Sequence, residues 1–339
     1  MQIQWLFNYI GGKNMSNIVV LANDNGKNMS KTIGLKKGKC EVEKVGFLSK
    51  YHVSIDINEE IEGNSHIVSF EDKIYIVGDS GKTFDFDSNK EKDIHKISCY
   101  TAISQFLEPN TKDNYIYMVL ACPIDFIRTK ALKDGYKEFI QGNGEININV
   151  DGKEYSFMIK EITIKSEGSG TIYNNIDSYK NEDVAVIDLG GVNFSFCIYS
   201  NCVAVKESRF ARDFGGNYLI QLTRNALRDH TRGISISENL ALKALSDDCL
   251  TIRGEKDNKS IEVIRKVKES YLEKIVDEIK SMGYSFDVTR PVFCGGTSEL
   301  IRNVINDRYK FATVVENAQW NSVEGLYVIA KAKYADKLM

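Results

Sequence analysis

The chain has 339 residues, of which 42% are hydrophobic and 27% are charged, as is typical of a globular protein. This length predicts two domains of ordinary size rather than one small core. The formal net charge of −3 gives no overall basic field, so we expect no direct nucleic-acid binding. The seven cysteines are scattered and never form a CxxC pair, so we expect reduced thiols and a cytoplasmic protein. No apolar stretch reaches the roughly 18 residues that span a bilayer, so we expect no membrane partner.

The first half of the chain is predicted to be rich in strands. Residues 1–14 are predicted to be an N-terminal extension, because "MSNIVV" leads from Met15 directly into the first strand. Strands are predicted for "IVVLA", "CEVEKVGFLS", "SHIVSF", "KIYIVG" and "YIYMVLACP". One helix is predicted around His95 to Phe106 and another over "FIRTKALKDGYKEFI". Farther on, the Asp151-Gly152 pair lies between alternating apolar residues and predicts a β-hairpin.

The second half begins a similar series. Strands are predicted for "VAVIDLGG", "FSFCIYSN" and "CVAVKES", followed by a helix over "GGNYLIQLTRNALRD". The region from about Ile236 to Met282 is charged and largely helical, "RPVFCGGTSELIRNVI" predicts strand, glycine turn and helix, and "SVEGLYVIAKAKYA" predicts a final amphipathic helix. The two halves therefore share the order strand, Asp, glycine turn and strand. This duplication predicts two α/β lobes that face each other across a cleft.

The two Asp-led turns suggest a phosphate site. Asp24 and Asp188 each follow a predicted buried strand and precede a glycine turn. Backbone N–H groups of a tight turn bind phosphate oxygens, and glycine allows the close approach. The two carboxylates could share a hydrated Mg²⁺ beside the phosphates, and Lys31 could add a positive charge. Each turn alone could also be an ordinary β-turn, but the repetition favours the site.

A third glycine turn, Gly295-Gly296-Thr297, opens a predicted helix. The backbone at a helix N-terminus can pack against an adenosine or its phosphate. The alternative is simple helix capping by Thr297 or Ser298.

Taken in order, these motifs resemble those of the actin and sugar-kinase superfamily of ATPases, and in particular the plasmid-partition actins of ParM type. "DNGKNMSK" is close to the actin phosphate hairpin, and "VIDLGGVNFSF" is similar to the second one. "SEGSG", "DFGGNYLIQL", "VFCGGTSEL" and "ENAQWNSVEGLYVIA" resemble later motifs of the family. The resemblance extends from Met15 to the end of the chain.

This resemblance implies the fold class: an α/β, actin-like (ribonuclease H-like) fold, duplicated in two lobes with a central nucleotide cleft. Lobe I would comprise residues 15–165 and 320–339, and lobe II residues 166–319. A smaller subdomain of lobe II would cover about residues 206–285.

The resemblance also implies the site residues. Asp24 and Asp188 would hold Mg²⁺ through water, and Glu167 would orient the attacking water and accept its proton. The implied nucleotide-binding residues are Asn25, Gly26, Lys27, Asn28, Lys31, Gly190, Gly191, Asn193, Gly215, Gly216, Lys268, Glu269, Gly295, Gly296 and Thr297. Alternatively, Glu167 lies in a surface turn, and Lys268 and Glu269 are solvated helix charges. Two departures from the family pattern are Val192, where a Thr is usual, and Ser166, where a Pro is usual.

The implied function is that of a cytomotive filament. Such a protein would bind Mg²⁺ with ATP or GTP, polymerise head to tail and hydrolyse the nucleotide after assembly. Its cargo would be plasmid DNA, reached through a separate DNA-binding adaptor on the plasmid centromere. Two alternatives stay open: a small-molecule kinase or phosphatase of the same superfamily, and a nucleotide-binding regulator with little hydrolysis. No catalytic Asp or sugar loop of a sugar kinase is recognisable, and "IQWLFNYI" lacks the basic residues of a membrane-surface helix.

Overall fold

The computed structural model describes residues 17–85 and 89–339. The predicted extension of residues 1–14 therefore lies outside the described residues. A ten-stranded mixed sheet forms the centre of the first half of the described chain, and a six-stranded sheet forms the centre of the second. None of the helices in these ranges is both long and apolar enough to cross a bilayer.

The first half contributes ten strands in its described ranges. They are β1 (Asn17–Asn25), β2 (Met29–Lys36), β3 (Glu43–Leu48), β4 (Lys50–Ser54), β5 (Ser65–Phe70), β6 (Lys73–Gly78), β7 (Thr83–Phe84), β8 (Asn114–Cys122), β9 (Ile146–Val150) and β10 (Lys153–Ser166). Its helices are α1 (Asp93–Ser104), α2 (Ile124–Arg128) and α3 (Lys130–Gln141). The strand order is β3-β2-β1-β8-β10-β9-β5-β6-β4-β7, with β1, β8 and β10 mutually parallel at the centre.

The central strand β1 is covered on both faces. Val19 and Leu21 belong to a core that includes residues of α1 and α3, whereas Val20 and Ala22 point into a second core on the opposite face. Side chains alternate between the two faces of a strand, so a strand that is buried on both sides reads as an unbroken apolar run. Burial on both faces explains the apolar run "IVVLA". The run ends at the carboxyl end of β1, where polar side chains can be accommodated.

The second half repeats this arrangement. Its elements are α4 (Gly170–Asn174), α5 (Ile176–Tyr179), β11 (Asp183–Leu189), β12 (Phe194–Ser200), β13 (Val203–Ala204), a 3₁₀ turn (Lys206–Ser208), β14 (Phe210–Arg212), α6 (Gly216–His230), α7 (Glu238–Asp247), β15 (Leu250–Ile252), β16 (Glu255–Asp257), α8 (Ser260–Ser281), β17 (Arg290–Cys294), α9 (Gly296–Leu300), α10 (Arg302–Arg308), β18 (Thr313–Val314), α11 (Ala318–Lys333) and α12 (Ala335–Leu338). Strand β11 pairs antiparallel with β12 and parallel with β17, as β1 does with β2 and β8. The predicted duplication in an α/β fold is therefore confirmed.

Two details differ from the predicted elements. The helix predicted over "FIRTKALKDGYKEFI" is divided into α2 and α3 by Thr129, whose backbone is extended (φ −107°, ψ 119°). A β-branched residue is a weak helix former, and the break lets each helix bury its own apolar residues. The region from Ile236 to Met282 is helical as predicted, but it also contains the small β15–β16 hairpin. The hairpin predicted at Asp151-Gly152 is present, with Val150 opposite Lys153.

Helices α4 and α11 cross at two glycines. A Cβ on Gly325 would lie 1.8 Å from the carbonyl oxygen of Gly170, and a Cβ on Gly170 would lie 1.7 Å from the carbonyl oxygen of Ser322. Because backbone atoms lie on both sides of this contact, no side-chain rotation can make room. The crossing joins the segment that follows β10 to the C-terminal helix, which packs on β1 and β8.

Replacing Gly325 with alanine should therefore destabilise the fold. Forcing a methyl group into a closed backbone contact costs about 2–3 kcal/mol in the free energy of unfolding. Urea denaturation of Gly325→Ala would measure this loss. Gly135→Ala in α3 is a matched control, because the nearest atom to its new Cβ is the flexible carboxylate end of Glu91. Equal stability of the two variants would contradict the described crossing.

Candidate functional site

A cavity of about 1110 Å³ lies between the two halves and is lined by residues of both. The carboxyl ends of β1, β10, β11 and β17 open onto it, which is where open α/β sheets bind ligands. The predicted residues that line it are Asp24, Gly26, Lys27, Asn28, Lys31, Glu167, Asp188, Gly190, Gly191, Asn193, Gly216, Lys268, Gly295, Gly296 and Thr297. Two aspartates separated by more than 160 residues along the chain thus share one cavity wall.

The turn between β1 and β2 is held by its carbonyl oxygens. The Ser49 hydroxyl donates to the carbonyl of Gly26 at 2.7 Å, and the Ser49 amide donates to the carbonyl of Asn28 at 2.9 Å. With two of its carbonyls accepting hydrogen bonds from Ser49, the turn is kept in one conformation. A turn fixed in this way can present N–H donors to an anion.

The turn between β11 and β12 is fixed by the N-terminus of α6. The amides of Gly216 and Asn217 donate to the carbonyls of Gly190 (2.9 Å) and Gly191 (2.8 Å), and Thr297 Oγ1 also donates to Gly190 (3.0 Å). Within residues 17–85 and 89–339, no backbone carbonyl accepts a hydrogen bond from the amides of Gly191 or Val192. The second turn therefore has its acceptors satisfied and donors left for an anion.

The two turns touch. A Cβ on Gly191 would lie 2.6 Å from the Cβ of Asn28, so only glycine permits this approach. The contact brings the donors of the first half and those of the second to one end of the cavity. This is the geometry expected of two turns that hold one phosphate chain from opposite sides.

The Asp24 carboxylate pairs with a largely buried lysine of the neighbouring strand. Asp24 Oδ2 is 2.8 Å from Lys31 Nζ, its cross-strand partner in the β1–β2 ladder, and Lys31 also donates to the carbonyl of Gln319 at 3.1 Å. Burial alone would lower the pKa of Lys31, but Asp24 and then Asp188 attract the proton and the net shift is upward. Burial raises the pKa of Asp188 to about 6, with Lys31 opposing the shift and Asp24 adding to it.

Glu167 follows directly after β10, and its amide donates to the carbonyl of Cys122 at 2.9 Å. Burial raises the pKa of this carboxyl to about 7; Lys90 opposes the rise, while Asp24 and Asp188 increase it. Glu167 stands in a turn, is partly buried and lines the cavity, which is the position that its predicted role requires. A carboxylate with a pKa near neutrality is suited to accept a proton from water.

The residues of the cavity fit a hydrated divalent cation. In the described part of the chain no three His, Cys, Asp or Glu side chains converge as a direct ligand set. Mg²⁺ usually keeps several waters and is held by one or two carboxylates together with phosphates. Asp24 and Asp188 provide two such carboxylates, and a cation beside Asp188 would offset the burial and repulsion that raise its pKa.

At the other end of the cavity, Lys268 is 2% exposed and its ammonium donates to the carbonyl of Leu245 and to Asp248 Oδ1. Asn303 donates to the same carboxylate. Lys268 thus organises the cavity wall instead of being a solvated charge. Glu269 does not line the cavity and pairs with Arg265, because one residue along α8 rotates the side chain by about 100°.

Two further predicted residues support the site without lining it. Asn25 is buried and donates from Nδ2 to the carbonyl of His95. Gly215 lies against the backbone of the second turn, where its amide donates to the carbonyl of Val192 at 3.0 Å. The sequence analysis missed Lys90, which lies behind the first turn. Its polar surroundings, "SNKEKD", are typical of a solvated segment and carry no signal of burial.

Comparisons with known proteins identify the family of the chain. The family model described as "Actin like proteins N terminal domain" matches residues 22–170. The structure titled "Alp12 filament structure" is 38% identical, with a TM-score of 0.69, and the match covers 94% of this chain and 99% of that one. The chain belongs to the actin-like proteins.

Other actin-like structures share the fold at lower identity. Ta0583, an archaeal actin homolog in complex with ADP, is 16% identical with a TM-score of 0.72, covering 93% of this chain and 99% of that one. A ParM in a 15-stranded filament from Clostridium botulinum is 18% identical with a TM-score of 0.68, covering 94% and 99%. The resemblance to ParM-type actins is confirmed. No curated protein matches the sequence.

The charge of Glu167 should reduce the stability of this actin-like protein when nucleotide and metal are absent. Its folded pKa of about 7 lies above the ordinary value of 4.5. A raised carboxyl pKa means that stability is lost as pH rises from 4.5 through 7, because the unfolded chain releases the proton first. Glu167→Gln should therefore raise the free energy of unfolding by roughly 1 kcal/mol at pH 8 and by much less at pH 5.

Urea denaturation in EDTA at both pH values measures this difference. Glu161→Gln is a control, because Glu161 pairs with Lys333 at the surface and its pKa is lowered instead of raised. A Glu167→Gln variant that is equally stable relative to wild type at pH 5 and pH 8 would contradict the described burial.

Proposed function

We propose that the chain is a nucleotide-driven filament protein that binds Mg²⁺ with ATP or GTP in the cavity, polymerises and then hydrolyses the nucleotide. The observation that carries the proposal is that Asp24 and Asp188 line one cavity together with both glycine turns. Complementary support comes from the Ta0583 structure, which contains ADP in the same fold. Nucleoside triphosphates need donors for the phosphates and carboxylates for a hydrated cation, and this cavity provides both.

Each part of the cavity has a role in this proposal. The amides of the two turns bind the phosphates, and Lys31 and Lys27 add positive charge from the first turn. Asp24 and Asp188 hold Mg²⁺ through water, and the cation supplies charge neutralisation at the phosphates. Glu167 accepts a proton from a water that lies in line with the terminal phosphate. The wall around Lys268 and Asp248 encloses the nucleoside.

Polymerisation is supported by the two relatives whose structures are filaments. Subunits that meet head to tail through unlike surfaces form open filaments, because such contacts do not close. We propose that the nucleotide draws the two turns together and that hydrolysis weakens the contact between subunits. The cargo in this proposal is plasmid DNA bound to a separate basic adaptor, in agreement with the net charge of −3 on this chain.

The aspartates should control magnesium-dependent binding. Asp188→Asn removes one carboxylate of the proposed cation site, and we expect nucleotide affinity in Mg²⁺ to fall by at least tenfold. Affinity in EDTA should change by less than twofold, because the turns still bind the phosphates. Fluorescent-nucleotide titration with and without Mg²⁺ gives both values. Asp183→Asn at the other end of β11 is the matched control. Equal losses in Mg²⁺ and EDTA would count against cation binding here.

Glu167 should separate assembly from hydrolysis. Glu167→Ala removes the proposed proton acceptor, and loss of a general base lowers turnover by about 10²–10⁴-fold. Filaments should still form with Mg²⁺ and triphosphate and should persist longer than those of wild type. Light scattering and phosphate release in one sample measure both. A wild-type protein whose scattering stays flat with ATP and with GTP would refute the filament, and saturable phosphate transfer to a small acceptor would indicate a kinase.

A further inference from the structure

Lys90 is among the most deeply buried charged side chains in the described residues. It is 1% exposed and lies just before α1, in a segment that the sequence reads as polar. Its ammonium donates to the carbonyl of Asn25 at 2.5 Å. Asn25 follows Asp24 and leads into the first turn. Lys90 does not line the cavity, so it acts from behind the wall.

The ammonium of Lys90 has no direct counterion among the described residues. It carries three N–H donors, and the Asn25 carbonyl accepts the one hydrogen bond that it makes to the described residues. No carboxylate in residues 17–85 and 89–339 forms an ion pair with it within 4.0 Å. Burying an ammonium without a paired carboxylate is costly, and burial accordingly lowers the pKa of Lys90. Packing alone therefore does not explain why a lysine occupies this position.

The charges that face Lys90 identify that reason. Glu167 is the strongest attractive charge on it, Asp24 is the next, and Lys27 repels it. In return, Lys90 is the largest of the charges that favour the ionised form of Glu167, whereas Asp24 and Asp188 disfavour it. The lysine thus attracts Glu167 from outside the cavity, without an ion pair to it within 4.0 Å.

We propose that Lys90 is a positioning residue for hydrolysis: its ammonium is anchored on the Asn25 carbonyl behind the cavity wall, and from there it attracts and orients the Glu167 carboxylate beside the attacking water. The predicted effect of Lys90 on hydrolysis rests on the proposed function. The electrostatic coupling of Lys90 to Glu167 is a property of the folded chain by itself. Because Lys90 contacts neither cavity nor phosphate, its removal lowers turnover and leaves nucleotide affinity in place.

A double-mutant cycle between Lys90 and Glu167 tests this electrostatic coupling directly. Lys90→Met keeps the length of the side chain and removes its charge, and it is combined with Glu167→Gln. Urea unfolding of the metal-free, nucleotide-free protein at pH 8 gives the equilibrium constant for each variant. We expect Lys90→Met to raise the unfolding constant at least fivefold more when Glu167 is present than when Gln replaces it. Equal effects in both backgrounds would overturn the proposal, because a merely structural lysine is additive with Glu167.

Turnover supplies the second readout. Lys90→Met should lower the rate of phosphate release at saturating ATP or GTP at least tenfold, with KM changed by less than twofold. In the Glu167→Gln background the same substitution should change the residual rate by less than twofold. A tenfold loss in both backgrounds would show that Lys90 does not act through Glu167. The control is Lys73→Met, which removes an exposed ammonium paired with Asp93 at the start of α1 and should leave turnover unchanged.

The two proposals fail in different ways. If the wild-type protein hydrolyses neither ATP nor GTP, the proposed function is refuted, and the unfolding cycle still decides whether Lys90 and Glu167 are coupled. If hydrolysis is present and the cycle shows no coupling, only the role of Lys90 is refuted. Should Lys90→Met fail to fold, Lys90→Gln is used in both experiments instead, because its amide keeps an N–H donor towards the Asn25 carbonyl.

Discussion

The contact between Asn28 and Gly191 is the constraint on which the site depends. It joins the turn after β1 to the turn after β11, and it leaves room for nothing larger than a hydrogen on Gly191. Each turn is separately fixed through its carbonyl oxygens, by Ser49 in one case and by the first turn of α6 in the other. Two rigid loops from different halves of the chain are therefore held against each other, and residues of both loops line the same cavity as Asp24 and Asp188.

The charges of the cavity are balanced only in part. Asp24 has a direct partner in Lys31, whereas Asp188 and Glu167 form no ion pair with the described residues, and burial raises the pKa of both. A folded chain that keeps two such carboxylates gives up stability at neutral pH. This cost is typical of sites where a ligand or cation completes the charge balance. The buried Lys90 belongs to the same pattern, because it offsets the charge of Glu167 without touching the cavity.

Much of the fold could be predicted because burial on both faces leaves a plain mark in the sequence. The apolar runs of β1 and β11 end in aspartates at the cavity, and the Asp151-Gly152 hairpin follows from its turn residues. The break at Thr129 could not be predicted, because both sides of it have helical patterns and tertiary packing decides. The same limit applies to Glu269, which lies one residue from the wall-forming Lys268 but faces away.

Lys90 shows why part of a site stays hidden from sequence. A lysine in a polar run reads as solvated, and only the three-dimensional arrangement of Asn25 and Glu167 around it makes it a buried charge.

The most direct test of the central claim is an anomalous-difference map of crystals grown with Mn²⁺ and a non-hydrolysable nucleoside triphosphate. The account predicts one metal peak between Asp24 and Asp188, beside phosphates held by both glycine turns. A metal or triphosphate located outside this cavity would contradict it.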